Sequence, residues 1–293
     1  MTERSEQTRS IRFLEVLERS RPDVARDLPW IKHPDPWAIY VSEVMLQQTQ
    51  VSRVLVPWRE FLKKFPTPSA LASASLADVL VAWQGLGFAR RARFLRSAAQ
   101  VMVAEHDGQV PRTIAELRAL PGIGEYSAAS IASFAFDEPV LVLDTNVGRI
   151  LSRAITGKTL SPVELRSVAT YFEPISDSAT LNQSLLDFGA KYCRARPECA
   201  SCCARTICAW QKIGGPDPAI NSAKVSKPQT PFVGSRRQVR GQVLKALHEG
   251  PLTSKQLSRL VCDERVALVT KELIDEGMIE RVKGTVRLSG DDR

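Results

Sequence analysis

Apolar residues recur at intervals of three and four along most of the chain, the spacing that one face of an α-helix produces. The first example is the run from Ile11 to Leu17. Comparable windows predict helices near residues 38–50, 53–64, 76–83, 90–105, 113–119, 126–136 and 145–155. Strict alternation of apolar and polar residues is scarce over this part of the chain. Residues 8–212 are therefore predicted to form a mainly α-helical domain built from many short helices.

After residue 212 the pattern changes. Residues 213–236 combine glycine, proline, serine and lysine, a composition typical of a linker. Residues 237–290 carry three helical patterns and then two short segments, 277–281 and 285–288, that predict a β-hairpin. Three helices followed by a hairpin resemble a winged helix-turn-helix domain. We therefore expect a small second domain in this region.

The charge of the chain permits a polyanionic partner without requiring one. Lysine and arginine outnumber aspartate and glutamate by 40 to 32, which gives a net charge of +8. Residues 237–293 contribute little to this excess, because they hold eleven basic and nine acidic side chains. The predicted winged helix is therefore not expected to be the main anchor for DNA.

Nothing in the sequence predicts a membrane partner. The first ten residues are polar and mixed in charge, and no uninterrupted apolar stretch is long enough to span a bilayer. We expect a cytoplasmic protein, monomeric in the simplest case, whose cysteines stay reduced. Cys262 lies in an apolar helical pattern and is expected in the core.

Four of the six cysteines, Cys193, Cys199, Cys202 and Cys208, fall within sixteen residues. Four thiols in one short segment are typical of ligands to one metal centre. Zinc sites usually combine two Cys-x2-Cys pairs, whereas only Cys199 and Cys202 form such a pair here. The wider spacing on both sides suits a [4Fe–4S] cluster. Structural zinc is the alternative, and Cys203 could replace Cys202 as a ligand.

Two features predict contacts with DNA phosphates. Basic residues stand beside and within the cysteine segment, at Lys191, Arg194, Arg196 and Arg205. Separately, Gly122 and Gly124 are one residue apart in a segment between two helical patterns. Such glycines allow the backbone to approach an anion with N–H groups pointing outward at a helix start. A Gly-x-Gly pair alone is typical of an ordinary turn, but together with the cysteine segment it favours nucleic-acid binding.

Two carboxylates stand out because apolar residues surround or precede them. Glu43 lies in the predicted helix 38–50, and a carboxyl buried among apolar side chains can serve as a proton donor. A solvated helix face is the ordinary alternative for this residue. Asp144 follows the apolar run 139–143 and precedes a helical pattern, a position where aspartate commonly caps the helix. A carboxylate there can cap the helix and also face a cleft.

Taken in order, these segments resemble the helix-hairpin-helix (HhH-GPD) superfamily of base-excision DNA glycosylases, and within it the MutY-type adenine glycosylases. The resemblance runs from about Leu28 to Trp210. It rests on six motifs: Leu28-Pro-Trp30, Ser42-Glu-Val-Met-Leu-Gln-Gln-Thr49, Trp83-Gln-Gly-Leu-Gly-Phe-Ala-Arg-Arg91, Leu120-Pro-Gly-Ile-Gly124, Leu143-Asp-Thr-Asn-Val147 and the cysteine segment. It implies two mainly helical lobes with a base pocket between them. The implied partner is double-stranded DNA with a mismatched or damaged base.

The resemblance also assigns roles to individual residues. Glu43 matches the family's acid, which protonates the flipped base so that it leaves as a neutral group. Asp144 matches the residue that stabilises the sugar cation while water completes the hydrolysis. The base-pocket and DNA-binding positions are Trp30, Leu46, Gln48, Gly122, Gly124, Tyr126 and Asn146. Gln48, on the helix after Glu43, would fill or probe the gap that the base leaves, and a loop at 193–208 would hold the [4Fe–4S] cluster.

Three departures from the family pattern concern the substrate and the cofactor. Ile31 stands where the family usually has an arginine at the base pocket. The first cysteine interval has five residues instead of six, a difference that a loop can absorb. The usual C-terminal domain, which senses 8-oxoguanine opposite adenine, is replaced by the predicted winged helix. The resemblance therefore implies the reaction, hydrolysis of the N-glycosidic bond, more directly than it implies which base is removed.

Our first hypothesis is a monofunctional glycosylase of base-excision repair that hydrolyses the N-glycosidic bond of a mispaired adenine opposite 8-oxoguanine or guanine. A second keeps the enzyme class but takes thymine or a modified pyrimidine opposite guanine, although pyrimidines offer no ring nitrogen comparable to the purine N7. A third, from another class, is a non-catalytic iron–sulfur DNA-binding regulator. Such a regulator would not need both Glu43 and Asp144.

Tyr126 generates the first testable prediction. It occupies the position where bifunctional members of the resembling family carry a lysine nucleophile, and a phenol cannot form a Schiff base with the sugar. We therefore expect hydrolysis without strand cleavage, and no covalent adduct when borohydride is added to the protein with substrate DNA. A borohydride-trapped adduct would refute this assignment.

Overall fold

A computed structural model describes residues 3–31, 35–172, 177–225 and 230–291. These residues contain fifteen α-helices and three short strands. The helices are α1 Glu3–Val24, α2 Pro36–Leu46, α3 Val51–Lys64, α4 Pro68–Ser73, α5 Leu76–Ala82, α6 Arg90–Glu105, α7 Ile114–Ala119, α8 Glu125–Phe136, α9 Thr145–Ile150, α10 Pro162–Ala169, α11 Ser178–Lys191, α12 Ala209–Ile213, α13 Arg236–Ala246, α14 Ser254–Val261 and α15 Val266–Asp275. The strands are β1 Leu252–Thr253, β2 Ile279–Val282 and β3 Thr285–Leu288. The mainly α-helical fold predicted from the sequence is confirmed.

The chain divides into two compact units. The first unit comprises Met1–Ile31 and Glu125–Pro228, and the second comprises Lys32–Gly124 and Gln229–Arg293. The division into a glycosylase domain (8–212), a linker (213–236) and a winged-helix domain (237–290) stays a prediction. Residues 32–34 and 173–176 of that domain, and 226–229 of that linker, lie outside the described residues. No helix in the described part of the chain is long and apolar enough to cross a membrane.

The core of the first unit forms around α9, α10 and α11. Phe13 of α1 meets Phe188 of α11 edge to face, with ring centroids 5.1 Å apart. The sequence predicted one helix over 145–155, but the structure changes from α-helix to a six-residue π-helix, Leu151–Thr156, that ends at Gly157 in the left-handed region with φ 69°. A short π-helical segment of this kind is frequent at functional sites.

Tryptophans organise the core of the second unit. Trp83 is almost fully buried and packs edge to face on Phe61, with centroids 5.9 Å apart. The indole nitrogens of Trp37 and Trp58 donate to the carbonyls of Phe65 and Ala38 at 3.0 and 2.9 Å. Each large ring thus buries its apolar body and still satisfies its polar edge.

The C-terminal segment of the second unit packs α13, α14 and α15 against a three-stranded antiparallel sheet of order β1-β3-β2. The predicted hairpin is present, with Ile279 opposite Leu288. The strand β1 was not predicted, because two residues are too few to show alternation. The expectation that Cys262 lies in the core is wrong. It is exposed and ends α14 in the left-handed region with φ 52°.

The guanidinium of Arg91, near the start of α6, fixes the end of α2. Its Nη1 donates to the carbonyls of Val44, Met45 and Gln47 at 2.7–2.9 Å, and its Nη2 to Thr49 Oγ1 and to the carbonyls of Leu86 and Gly87 at 2.9–3.1 Å. The last carbonyls of a helix have no partner within it, so these donors satisfy groups that would otherwise be buried without one. Burial, together with the charge of Arg53, lowers the pKa of Arg91 to about 10.

Replacing Arg91 should therefore destabilise the second unit far more than replacing its neighbour. Arg91→Met leaves several buried carbonyls unsatisfied, which we expect to lower the free energy of unfolding by about 3 kcal/mol or more. Denaturant unfolding followed by tryptophan fluorescence measures the change. The exposed Arg90 stacks only on Phe94, so the control Arg90→Met should cost about 1 kcal/mol or less. Equal losses in the two variants would contradict this role.

Candidate functional site

Glu43 sits in the most buried helix of the second unit. Asp35 caps α2 by accepting from Trp37 N at 3.0 Å, and Pro36 occupies the first helical position. Residues 37–45 are all buried, and Glu43 is 7 % exposed. A carboxyl so far removed from water pays a desolvation cost in its charged form.

The Gln47–Gln48 segment leaves this helix instead of continuing it. The sequence predicted a helix through residue 50, but α2 ends at Leu46. Gln48, expected on the helix after Glu43, is exposed and adopts the left-handed region with φ 56°. The backbone bends here because Arg91 takes the carbonyls of both α2 and the following turn. Leu46 is half-buried beside it.

The Gly122–Gly124 turn lies next to this segment in the second unit. Gln47 Nε2 donates to the carbonyl of Gly122 at 3.4 Å. Gly122 is required by its own geometry, since φ is 80° and a Cβ would meet Phe94 Cβ at 2.8 Å. Gly124 has an ordinary φ and open space around it. Neither strain nor packing within the chain therefore explains a glycine at 124.

Asp144, in the first unit, caps α9 as the sequence predicted. Its Oδ1 accepts from Val147 N at 2.7 Å, and its Oδ2 accepts from Asn146 Nδ2 at 2.7 Å. The Oδ1 of Asn146 in turn accepts from Arg149 Nη2 at 2.5 Å. Arg149 Nε donates to the carbonyl of Cys193 at 2.6 Å. A continuous chain of hydrogen bonds therefore runs from the carboxylate of Asp144 to the start of the cysteine segment.

The environment of Asp144 acts on its pKa in two directions. Burial is the largest influence and raises the pKa. The donors of Val147 and Asn146 and the charge of Arg149 oppose this, because they stabilise the ionised form. The net shift is upward. The carboxylate is thus held in a fixed orientation by two hydrogen-bond donors.

The four predicted ligands line one cavity of the first unit: Cys193, Cys199, Cys202 and Cys208. Cys203 is exposed and does not line it. Arg153 forms one wall, with Nη1 donating to Cys193 Sγ at 3.6 Å and to the carbonyl of Arg194 at 2.6 Å. Burial raises the pKa of Cys202 to about 12. Among the described residues, the four sulfurs do not lie close enough together to form a group that could hold a metal ion.

The donor set nevertheless fits a thiolate-bound centre. Four soft ligands face one space whose other walls are mostly apolar, among them Phe188 and Trp210. The guanidinium of Arg153, which pairs with the carboxylate of Asp217 at 2.5 Å, also lines the cavity. A buried cation beside sulfur favours the deprotonated thiolate that a metal requires.

The remaining predicted residues are placed as follows. In the first unit, Trp30 is buried, Ile31 beside it is 37 % exposed, and Tyr126 is half-buried on the first turn of α8. Lys191, Arg194, Arg196 and Arg205 are all exposed. Arg194 pairs with Glu198, and Lys191 donates to the carbonyl of Asp23 at 2.8 Å. Glu43, Leu46, Gln48, Gly122 and Gly124 belong to the second unit, whereas Asp144, Asn146 and the cysteines belong to the first.

Comparison with known proteins identifies the family of this chain. A model of HhH-GPD superfamily base excision DNA repair proteins matches residues 41–169. The adenine DNA glycosylase of Mycolicibacterium smegmatis is 40 % identical over 239 residues, which cover 79 % of this chain and 80 % of that protein. This chain belongs to the HhH-GPD superfamily. The adenine DNA glycosylase of Mycobacterium tuberculosis CDC 1551 / Oshkosh is 39 % identical over 241 residues, with 79 % and 78 % coverage.

A solved structure is similar to this HhH-GPD protein in fold. A thermostable thymine-DNA glycosylase superposes with a TM-score of 0.66 at 24 % sequence identity, covering 71 % of this chain and 98 % of that one. At a sequence identity this low, the superposition supports a shared fold and nothing further. The enzyme class expected from the sequence, a DNA N-glycosylase, is confirmed by the relatives.

Sequence reasoning missed the three arginines that hold the site residues of this HhH-GPD protein. Arg91 stands in a motif used for the resemblance, but nothing in the motif separates it from Arg90. Arg149 and Arg153 lie four residues apart in an otherwise apolar helical segment, where buried cations are rare without partners. That spacing was the available signal, since residues four apart share one helix face.

The hydrogen bond between Asn146 and Asp144 generates a prediction about pH. Asp144 must be ionised to oppose positive charge on the sugar, so base release should fall as the pH drops through its pKa. Asn146→Ala removes a donor that lowers this pKa, so the acid limb of the rate profile should move to higher pH. Single-turnover base release measured against pH reports the shift. An acid limb that is unmoved, or that moves to lower pH, would contradict the assignment.

A matched control is available in the same unit. Glu125 is exposed and pairs with Lys224 at 3.5 Å, and it is not a member of the hydrogen-bond chain that joins Asp144 to Cys193. Glu125→Gln should therefore leave the acid limb where it is in the unaltered protein.

Proposed function

We propose that this protein is a monofunctional adenine DNA glycosylase of base-excision repair. The observation that carries the proposal is the contrast between its two carboxyls. Glu43 is buried in the apolar helix α2, whereas Asp144 is surrounded by hydrogen-bond donors. The donors around Asp144 stabilise its ionised form, which can oppose positive charge on the sugar, and the apolar helix around Glu43 suits a proton donor. A cytoplasmic monomer acting on double-stranded DNA remains our expectation.

The two groups divide the hydrolysis between them. Glu43 gives its proton to a ring nitrogen of the extruded base, and the electron pair of the N-glycosidic bond moves onto the base as that bond breaks. The carboxylate of Asp144 stabilises the positive charge that develops on the sugar. Water then forms the new bond to the anomeric carbon and releases its proton to a carboxylate. Trp30, Leu46, Gln48, Tyr126 and Asn146 would line the base pocket and the adjoining DNA.

Adenine is favoured as the base over thymine. Two relatives are about 40 % identical to this chain over most of their length, and both are named adenine DNA glycosylases. Adenine also has a ring nitrogen that Glu43 can protonate, whereas pyrimidines have no counterpart to the purine N7. Ile31 stands where the resembling family usually has an arginine at the base pocket, so adenine must be recognised by other residues.

We also propose that Cys193, Cys199, Cys202 and Cys208 hold a [4Fe–4S] cluster. The cavity that they share, and the exposure of Cys203, support this ligand set over one that includes Cys203. When bound, such a cluster would fix the 193–208 loop from within. The exposed Arg196 and Arg205 of that loop would then be available to DNA phosphates.

Base release on four duplexes tests the function. The substrates carry adenine opposite 8-oxoguanine, A·G, G·T and G·U, and alkali converts each abasic product into a strand break. We expect breaks in the two adenine duplexes. Breaks confined to G·T or G·U would replace adenine with a pyrimidine, and no breaks in any duplex would favour the non-catalytic regulator.

The variant Glu43→Gln tests the proposed acid on the same substrates. The amide preserves the shape of the side chain but has no acidic proton to give. We expect base release to fall by about 100-fold or more, with DNA affinity close to that of the unaltered protein. Undiminished base release by Glu43→Gln would exclude Glu43 as the acid.

The ligand set of the cluster predicts a difference between neighbouring cysteines. Cys199→Ser removes a proposed ligand and should lower the iron and acid-labile sulfide content of protein purified without oxygen. Cys203→Ser is the matched control and should retain about four of each per chain. Zinc in place of iron in the unaltered protein, or loss of iron only with Cys203→Ser, would contradict the proposal.

A further inference from the structure

A large cavity of the second unit is walled on one side by the C-terminal segment. Its volume is about 860 Å³. One wall is formed by Gln47, Gln48, Arg53 and the 85–91 segment. The C-terminal segment contributes Thr230, Phe232, Glu276 and four residues of α13. These four are Arg237, Arg240, Gly241 and Leu244. Gln48, proposed above as a DNA contact, therefore shares a cavity with a segment to which no function has been assigned.

The two walls are joined at Phe88. This residue is 38 % exposed and adopts the left-handed region with φ 47°, an uncommon conformation for an aromatic residue. Arg91 lies over its ring at 5.5 Å, and Arg237 of α13 lies over it at 5.7 Å. A second junction lies nearby, where Gln84 Nε2 contacts His248 Nδ1. The C-terminal segment is thus seated against the 83–91 segment by specific contacts.

The chemistry of the cavity matches a nucleotide. Its lining includes five arginines and one glutamate, so its balance is strongly positive. Phe88 and the 58 % exposed Phe232 offer aromatic surface for a base, and three glutamines offer both donors and acceptors. Cations bind the phosphate, aromatic rings stack on the face of the base, and amides form hydrogen bonds with its edge.

Charge is unevenly distributed within the C-terminal segment. Helix α13 carries four basic residues and no acidic residue, whereas α15 carries one basic residue and two acidic residues. Arg240 is tied to Glu276 at 2.6 Å, which orients its side chain. Arg237 Nη2 donates to the carbonyl of Thr230 at 2.6 Å and its guanidinium stays on the cavity side over Phe88. The positive surface of this segment therefore faces the cavity through its first helix, although its total charge is small.

We propose that the C-terminal segment is a DNA-binding element of this glycosylase, in which Arg237 of α13 contacts a backbone phosphate of a nucleotide held in the cavity. The third helix, α15, is not the DNA-contacting helix. Its exposed positions are Ala267, Leu268, Lys271 and Asp275, so the one cation on that face is offset by a carboxylate. This inference rests on the proposed function, because Gln48 on the opposite wall is itself a proposed DNA contact.

Binding to DNA at several salt concentrations tests the inference. The probe is a duplex with a stable abasic-site analogue opposite guanine, so that no base is released during the measurement. Each phosphate contact contributes about 0.9 to the slope of log affinity against log salt. Arg237→Gln should reduce the slope by about one and weaken binding several-fold, and Arg237→Lys should restore most of the slope. The matched control Arg259→Gln, on an exposed position of α14, should leave the slope unchanged.

Equal slopes for the unaltered protein and Arg237→Gln would overturn the inference, as would a slope reduced only by Arg259→Gln. These outcomes are independent of base release. A protein that releases adenine but keeps its slope in Arg237→Gln retains the proposed function and loses this inference. A protein that releases no base on any duplex loses the proposed function, while the slopes still decide the role of Arg237.

Photo-cross-linking keeps the test decisive if Arg237→Gln folds poorly. Phe232 in the cavity and Leu268 on α15 are large apolar residues that are 58 % and 53 % exposed. A photoreactive phenylalanine analogue replaces each of them in turn in the full chain. A cross-link to the abasic duplex from position 232 and not from position 268 supports the inference. A cross-link from position 268 alone, or from neither position, overturns it.

Discussion

Irregular segments that carry functional residues expose backbone carbonyls, and in both units a buried guanidinium satisfies them. Arg91 takes six acceptors at the end of α2 and in the neighbouring loop. Arg153 does the same for the start of the cysteine segment, whose carbonyls at Cys193, Arg194 and Ala195 it binds at 2.6–3.3 Å. Arginine suits this task because its planar group presents five donors and keeps its charge. The positions of the site residues depend on these contacts.

The same constraint explains why the two carboxyls differ. Glu43 stands one turn before the end of α2, and Arg91 satisfies the carbonyls of Val44 and Met45 at that end. Asp144 stands outside α9, so its oxygens take the orphan N–H of Val147 and the amide of Asn146. A helix interior thus gives an apolar setting, and a helix start gives donors.

The net charge of the C-terminal segment does not describe how its charges are arranged. Its basic and acidic residues nearly cancel, and the expectation that it is not the main DNA anchor stays a prediction. In the structure Arg236 and Arg240 of α13 form ion pairs with Glu272 and Glu276. Arg237 lies over the ring of Phe88. The sum of the charges is small, but their arrangement concentrates the positive ones at one cavity. Local placement decides the field that a phosphate meets.

The sequence by itself determined the helical architecture, the capping role of Asp144, the three-helix and hairpin pattern near the end of the chain and the family, since these depend on periodicity, spacing and local backbone chemistry. Tertiary structure decided what local patterns do not encode. It ended α2 at Leu46, because Arg91 is 45 positions away from the helix end that it binds. It exposed Cys262, whose place at the end of α14 was hidden by apolar neighbours. It also joined Asn146 to Cys193 through Arg149, a link between residues that meet only when the chain folds.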